Sequence, residues 1–247
     1  MLQRISFASL GLLLLAATAQ AQTDPNQMGA SAQANLNTLT TNAPTVIPNP
    51  VGDGVKGSPY ADDQWRLAQI TLSNKLPLAP VPIKYDVLGQ RLLMHKAAPS
   101  PDSLQLDDRL VQQFVLLNPT KAGAVARPRL FRRFAEAPTP GERADYVEVL
   151  HQGRYTLLKR HRRTLKKADF QGAYNSNNRY DEIQDHSEYF LAAADAPARP
   201  VKLSLKALEA AAPMLQASLK QAAAGKPLRS DADWTLVLDV ADPAAAR

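Results

Sequence analysis

Two strand-forming runs around a glycine-bearing turn constrain this chain more than any other feature. Tyr146-Val147-Glu148-Val149-Leu150 and Tyr155-Thr156-Leu157-Leu158-Lys159-Arg160 flank His151-Gln152-Gly153-Arg154. β-Branched and aromatic side chains suit a pleated surface, and Gly153 supplies the turn, so the segment predicts an antiparallel hairpin. A second hairpin is expected upstream. Val81, Ile83, Tyr85 and Val87 alternate with Pro82, Lys84 and Asp86, Leu88-Gly89-Gln90 turns, and Arg91 to His95 returns. Pro77, Pro80 and Pro82 exclude a helix there. Further strands are expected over 65–72, 104–106, 111–117, 130–134 and 180–183, and over 187–192 paired with 199–203. Loops are expected over 118–129 and 174–178.

The pattern then changes to helix. Ser204 is a candidate N-cap for Leu205 to Ala212. Pro213 opens a second segment that Gly225 ends. Ser230 with Asp233 resembles a capping box, and Trp234 to Val240 is expected as a last short helix or strand; as a helix it places Trp234 and Leu238 on one face. The expectation is an α+β fold: an antiparallel, meander-like β-sheet domain of about seven to ten strands capped by short C-terminal helices.

The N-terminus points to export. Arg4 precedes the apolar run Ile5 to Ala17, and Ala19-Gln20-Ala21 offers small residues for cleavage. The run is well short of the roughly 20 residues that span a bilayer. Residues 1–21 are therefore expected as a signal peptide. Residues 22–57, rich in Asn, Thr, Gln, Pro and Gly, are expected as a flexible leader. Residues 58–240 are expected as a single β-rich domain, with its helices at about 204–240, and 241–247 as a tail. The processed chain is expected to carry no transmembrane segment and to reside in the periplasm, at the outer membrane or outside the cell.

The chain has no cysteine, so packing alone must hold it in an oxidising compartment. The whole chain carries 29 basic and 23 acidic side chains; losing Arg4 with the signal leaves 28 against 23, a net of +5. That mild excess permits an anionic envelope component or a protein partner. Nucleic acid is not expected.

Gly57-Ser58-Pro59-Tyr60, Asp63-x-Trp65, Leu76-Pro77-Leu78 and Ile83-Lys84-Tyr85-Asp86 resemble the opening of an uncharacterised family of exported Bacteroidetes proteins. Tyr146-x-Glu148-Val149-Leu150, Leu157-Leu158-Lys159-Arg160, Tyr174-Asn175, Glu188-Tyr189-Phe190-Leu191 and Leu203 to Leu208 continue the likeness over most of 57–240. The resemblance implies export and one domain. It implies no chemistry, since that family has no assigned activity. This chain departs from it in its richness in Ala, Pro and Arg.

No nucleophile elbow, phosphate loop or dinucleotide fingerprint occurs, and no catalytic, cofactor-binding or metal-binding residue is assigned. His95, His151, His161 and His186 lack metal-ligand spacing, although His151 and His161 could meet across the hairpin and His186 follows Asp181, Glu182 and Asp185. The adjacent pairs Asp62-Asp63 and Asp107-Asp108 would point to opposite faces of a strand. The local anomaly is the basic run Lys159 to Lys167. Lys159, Arg160, Arg162, Arg163, Lys166 and Lys167 are the candidate binding residues for an anionic partner. A strand basic on both faces is expected to project beyond the sheet or to lie at its edge, where such charges also protect against aggregation. The six tyrosines Tyr85, Tyr146, Tyr155, Tyr174, Tyr180 and Tyr189 could line a sugar-binding surface or fill the core. The expected role is a non-catalytic envelope binding or scaffolding protein. The alternatives are an exported hydrolase centred on His151, His161, His186 and Asp185, or an accessory subunit of an envelope complex.

Overall fold

The computed structural model describes residues 25–40, 43–46, 54–76, 78–95, 103–117, 127–168, 180–194 and 196–243. The signal segment, most of the 118–129 loop, the Asn-rich 174–178 loop and the last residues of the tail lie outside the described residues.

The strands are β1 (Thr45–Val46), β2 (Val55–Lys56), β3 (Arg66–Leu72), β4 (Val81–Asp86), β5 (Arg91–His95), β6 (Ser103–Gln105) and β7 (Val111–Leu116). After them come β8 (Arg129–Arg133), β9 (Tyr146–Gln152), β10 (Tyr155–Arg160), β11 (Arg163–Lys166), β12 (Asp181–Asp185), β13 (Glu188–Ala193) and β14 (Arg199–Pro200). The helices are α1 (Pro25–Thr40), α2 (Leu205–Ala211), α3 (Gln216–Ala223) and α4 (Asp231–Ala241).

Eleven strands form one antiparallel sheet in the order β1-β6-β5-β4-β3-β7-β8-β9-β10-β13-β14. The α+β, antiparallel reading therefore holds, with one departure from a plain meander. The chain winds from β3 out to β6, returns through a short 3-10 turn at Asp108–Leu110, and adds β7 on the free side of β3. A second sheet, β11-β12-β2, includes a parallel pairing of β12 with β2.

One face of the large sheet, here the front, carries both helical covers. Tyr146, Glu148 and Leu150 alternate along β9 and share that face. Tyr146 belongs to a core with Phe114, Phe131, Tyr85 and Ile83, whereas Leu150 packs against a core with Leu157, Leu219, Trp234 and Leu238 from the C-terminal helices. Phe114 and Phe131 stack at 4.9 Å. The back face of β9, β10 and β13 buries Val147, Leu158 and Phe190 under Phe134 and Ala198.

The C-terminal helices start and stop as their residues dictate. Ser204 Oγ accepts the Ala207 N–H at 3.3 Å. Pro213 opens a 3-10 turn that runs into α3, and Gly225 takes φ +69°, the left-handed conformation that ends a helix. Ser230 and Asp233 form the full capping box of α4.

Two expectations are corrected. Part of the leader is helix: in α1, Ala32, Leu36 and Leu39 are spaced four and three apart, so they form one apolar stripe. Leu36 and Leu39 are buried in the same core as Val81 and Leu106. The sparse apolar content of 22–57 hid a stripe that a finished sheet can cover. The second correction concerns the basic run. β10 is an interior strand between β9 and β13, neither projecting nor at an edge. Its charges are tolerated there because carboxylates from neighbouring elements reach them. Only the later part of the run, in β11, lies at a sheet edge.

Candidate ligand-binding cleft

The site is set up by a bulge. β10 pairs Leu157 with His151 but Leu158 with Val149, so Leu150 is an extra residue on β9. A bulge resets the alternation of side chains. Leu150 and His151 therefore both turn to the front face, toward α4, where strict alternation would have sent His151 to the back. At the hairpin turn, Gly153 is needed for space: a Cβ there would collide with the carbonyl and carboxylate of Asp242.

Between the first turns of α4 and strands β8 to β10 lies a cleft of about 640 Å3. Pro128, Leu150, Ala232 and Leu236 give it apolar walls, and Arg127, Arg129, Glu148, Lys159 and Asp231 give it charge. It sits where the front face passes from one core to the other.

Every charge in the cleft has a partner. Arg129 grips Glu148 with two bonds, Nε to Oε1 at 2.7 Å and a terminal nitrogen to Oε2 at 2.9 Å. His161 Nε2 lies 2.7 Å from Glu148 Oε2. Burial works to raise the Glu148 carboxyl, but the hydrogen bonds from Arg129 and His161 outweigh it and hold the group at about 2. Burial lowers the proton affinity of His161 below its ordinary value despite the neighbouring carboxylate. A neutral imidazole that donates from Nε2 leaves Nδ1 as a bare acceptor, and Nδ1 is buried with no partner among the described residues. In the same lining, Lys159 Nζ binds Asp231 at 2.7 Å. Burial opposes the charge on Lys159, yet the bond to Asp231 lifts its affinity for the proton above the usual lysine value. Arg127 binds Asp239 at 2.6 Å.

His151 is buried beneath α4. Its Nδ1 lies 2.7 Å from Asp239, its Nε2 lies 3.5 Å from Asp242, and Asp242 also accepts the Tyr155 N–H at 2.8 Å. Thr235, the hydroxyl residue lining the cleft, donates to the Asp231 carbonyl at 2.8 Å. The histidines and the hydroxyl are thus engaged in bracing.

The six basic candidates do not converge. Lys159 faces the cleft. Arg160 points to the back, where it binds Glu142 at 2.6 Å, Asp145, and Glu188 at 3.4 Å. Arg162 is exposed with Glu188 3.5 Å away, and Arg163 pairs with Asp185. Lys166 and Lys167 are exposed and carry no ion pair among the described residues. His151 and His161 share the front face without meeting, and each has its own carboxylates. His186 is exposed beyond β12. Among the described residues no three or more His and carboxylate side chains form a metal cage.

Glu148 and Asp231 were not singled out from the sequence. One signal was available: Glu148 stands between Tyr146 and Leu150 on an otherwise apolar face. Its partners lie 19 residues upstream and 13 downstream, and no local pattern joins them. No protein-family model, curated protein or solved structure matches the chain.

Proposed function

We propose that this is an exported, non-catalytic binding protein of the cell envelope that holds a small amphipathic ligand in the cleft beside α4. The observation that carries the reading is the pairing of apolar walls with the ion pair Lys159–Asp231 in the same lining. The volume lies within the range of about 300–1,000 Å3 that suits small-molecule ligands. The walls take an apolar body, and the ion pair offers a donor and an acceptor to a polar end. Kinship with exported Bacteroidetes proteins and residence in the periplasm, at the outer membrane or outside the cell belong to the same proposal. An envelope anion or protein partner meeting Lys166 and Lys167 is compatible with it.

Equilibrium binding of the fluorescent amphiphile anilinonaphthalene sulfonate, competed by decanoate, tests the reading. Ala232→Trp fills the cleft from an exposed position of α4 and is expected to weaken both at least about tenfold, or about 1.4 kcal/mol. Equal binding by wild type and variant would sink the proposal. A hydrolase remains the second reading because two His–carboxylate pairs lie within hydrogen-bond reach, one of them against the cleft. Ester or glycoside turnover that disappears in His161→Ala would favour it.

A further inference from the structure

A second cavity, of about 610 Å3, opens at the other end of β8 and β9 and shares no lining residue with the cleft. Tyr85, Gln90, Asp108, Arg143, Asp145 and Tyr146 are among its walls. The site is braced. Arg133 gives its three nitrogens to the carbonyls of Val111, Asp108 and Ala144, and its guanidinium lies 4.0 Å from the centre of the Tyr146 ring. Tyr146 donates its hydroxyl to the Val111 carbonyl at 3.1 Å.

Two groups in this braced frame are uncommitted. Tyr85 is only 5% exposed, with its ring edge-on to Phe114, Phe131 and Tyr146. Tyr85 lines the cavity, and its hydroxyl makes no hydrogen bond among the described residues. Burial above all, and the charge of Asp145, keep the phenol protonated, so it can both donate and accept. The ring is buried while the oxygen stays open to the cavity, so a ligand hydroxyl there can take the place of the solvent it meets. Arg143 is the other free group: it is exposed and has no ion pair among the described residues.

The charge balance selects the ligand class. Arg109 is paired with Asp107, Arg133 lies near Asp108, and Arg160 binds Asp145. A small anion would gain Arg143 alone and would face the carboxylates of Asp108 and Asp145. A ligand with several neutral hydroxyls satisfies donors and acceptors together.

We propose that this cavity is a sugar-binding site, in which one hydroxyl of a neutral sugar ring bonds Tyr85 Oη and others bond Arg143 and the carboxylates of Asp108 and Asp145. The ring could belong to a free sugar or to the end of a glycan.

Saturation-transfer NMR on the full protein tests this with glucose, N-acetylglucosamine and a chito-oligosaccharide, and with inorganic phosphate as the anionic control. Transfer to at least one sugar is expected, and a preference for the oligosaccharide would identify a glycan end. Tyr85→Phe removes one oxygen and leaves the ring packed; it should weaken that binding about tenfold, the value of one buried hydrogen bond. Arg143→Gln, at an exposed position, should weaken it as well and carries the test if the tyrosine variant fails to fold. No transfer to any of the three sugars would overturn the proposal. So would binding unchanged in Arg143→Gln, or sugar signals abolished by competing phosphate.

Discussion

Glu148→Gln removes the central charge of the cleft while keeping the side chain's shape. The Arg129 guanidinium would then face a neutral amide in a mostly buried position. The carboxyl is held from its ordinary 4.5 down to about 2. Each tenfold change in proton affinity is worth about 1.4 kcal/mol, so the ionised form contributes about 3 kcal/mol to folding at neutral pH. Breaking a buried pair by neutralising one partner costs about 3–5 kcal/mol, which agrees. Because the folded-state value is depressed, the contribution is complete above about pH 4.5 and is lost as the pH falls toward 2. His161 acts in the same direction at higher pH. Burial depresses its proton affinity, so its share of stability is lost as the pH falls below about 6.5. Urea unfolding of wild type and variant should differ by about 3 kcal/mol at neutral pH, and the gap should close as acid protonates the wild-type carboxylate. A gap under about 1 kcal/mol, the size of a surface pair, would refute the reasoning. So would a gap that stays constant through the acid range.

Further outcomes can be checked. Phe114→Ala removes a fully buried ring stacked on Phe131 and should cost about 3–5 kcal/mol in urea unfolding. Leu39→Ala should cost about 2–5 kcal/mol because α1 is part of the core; no loss would restore residues 22–57 to a flexible leader. Gly153→Ala should lower stability by about 1–3 kcal/mol, since the added methyl meets Asp242, and a neutral result would show that the turn has room. Lys166→Gln with Lys167→Gln should leave the unfolding midpoint unchanged while reducing salt-sensitive retention on envelope material, whereas Arg160→Gln should destabilise the protein by leaving Glu142 and Asp145 without their cation.

The sheet was legible because its signals are local. Alternation over 81–87, the turn at Gly153, and the caps at Ser204 and Ser230 each specify a few neighbouring residues. The sites were not legible, for three physical reasons. A single extra residue at Leu150 reverses the side-chain alternation that follows it, and no residue type announces a bulge. The ion pairs join elements far apart in sequence, such as Lys159 with Asp231, so a run that reads as a basic patch is largely neutralised after folding. Tyr85 was rightly placed among core candidates, but only the fold reveals that its ring is buried while its hydroxyl faces a cavity. The α1 stripe was missed because three modest apolar residues weigh little in a polar window.

Native mass spectrometry of the protein recovered from its own cells tests the binding account most directly. The account predicts a small molecule of amphipathic character released on unfolding, and its absence from Ala232→Trp recovered in parallel. Wild-type protein that carries nothing, or a filled-cleft variant that carries the same molecule, would contradict it.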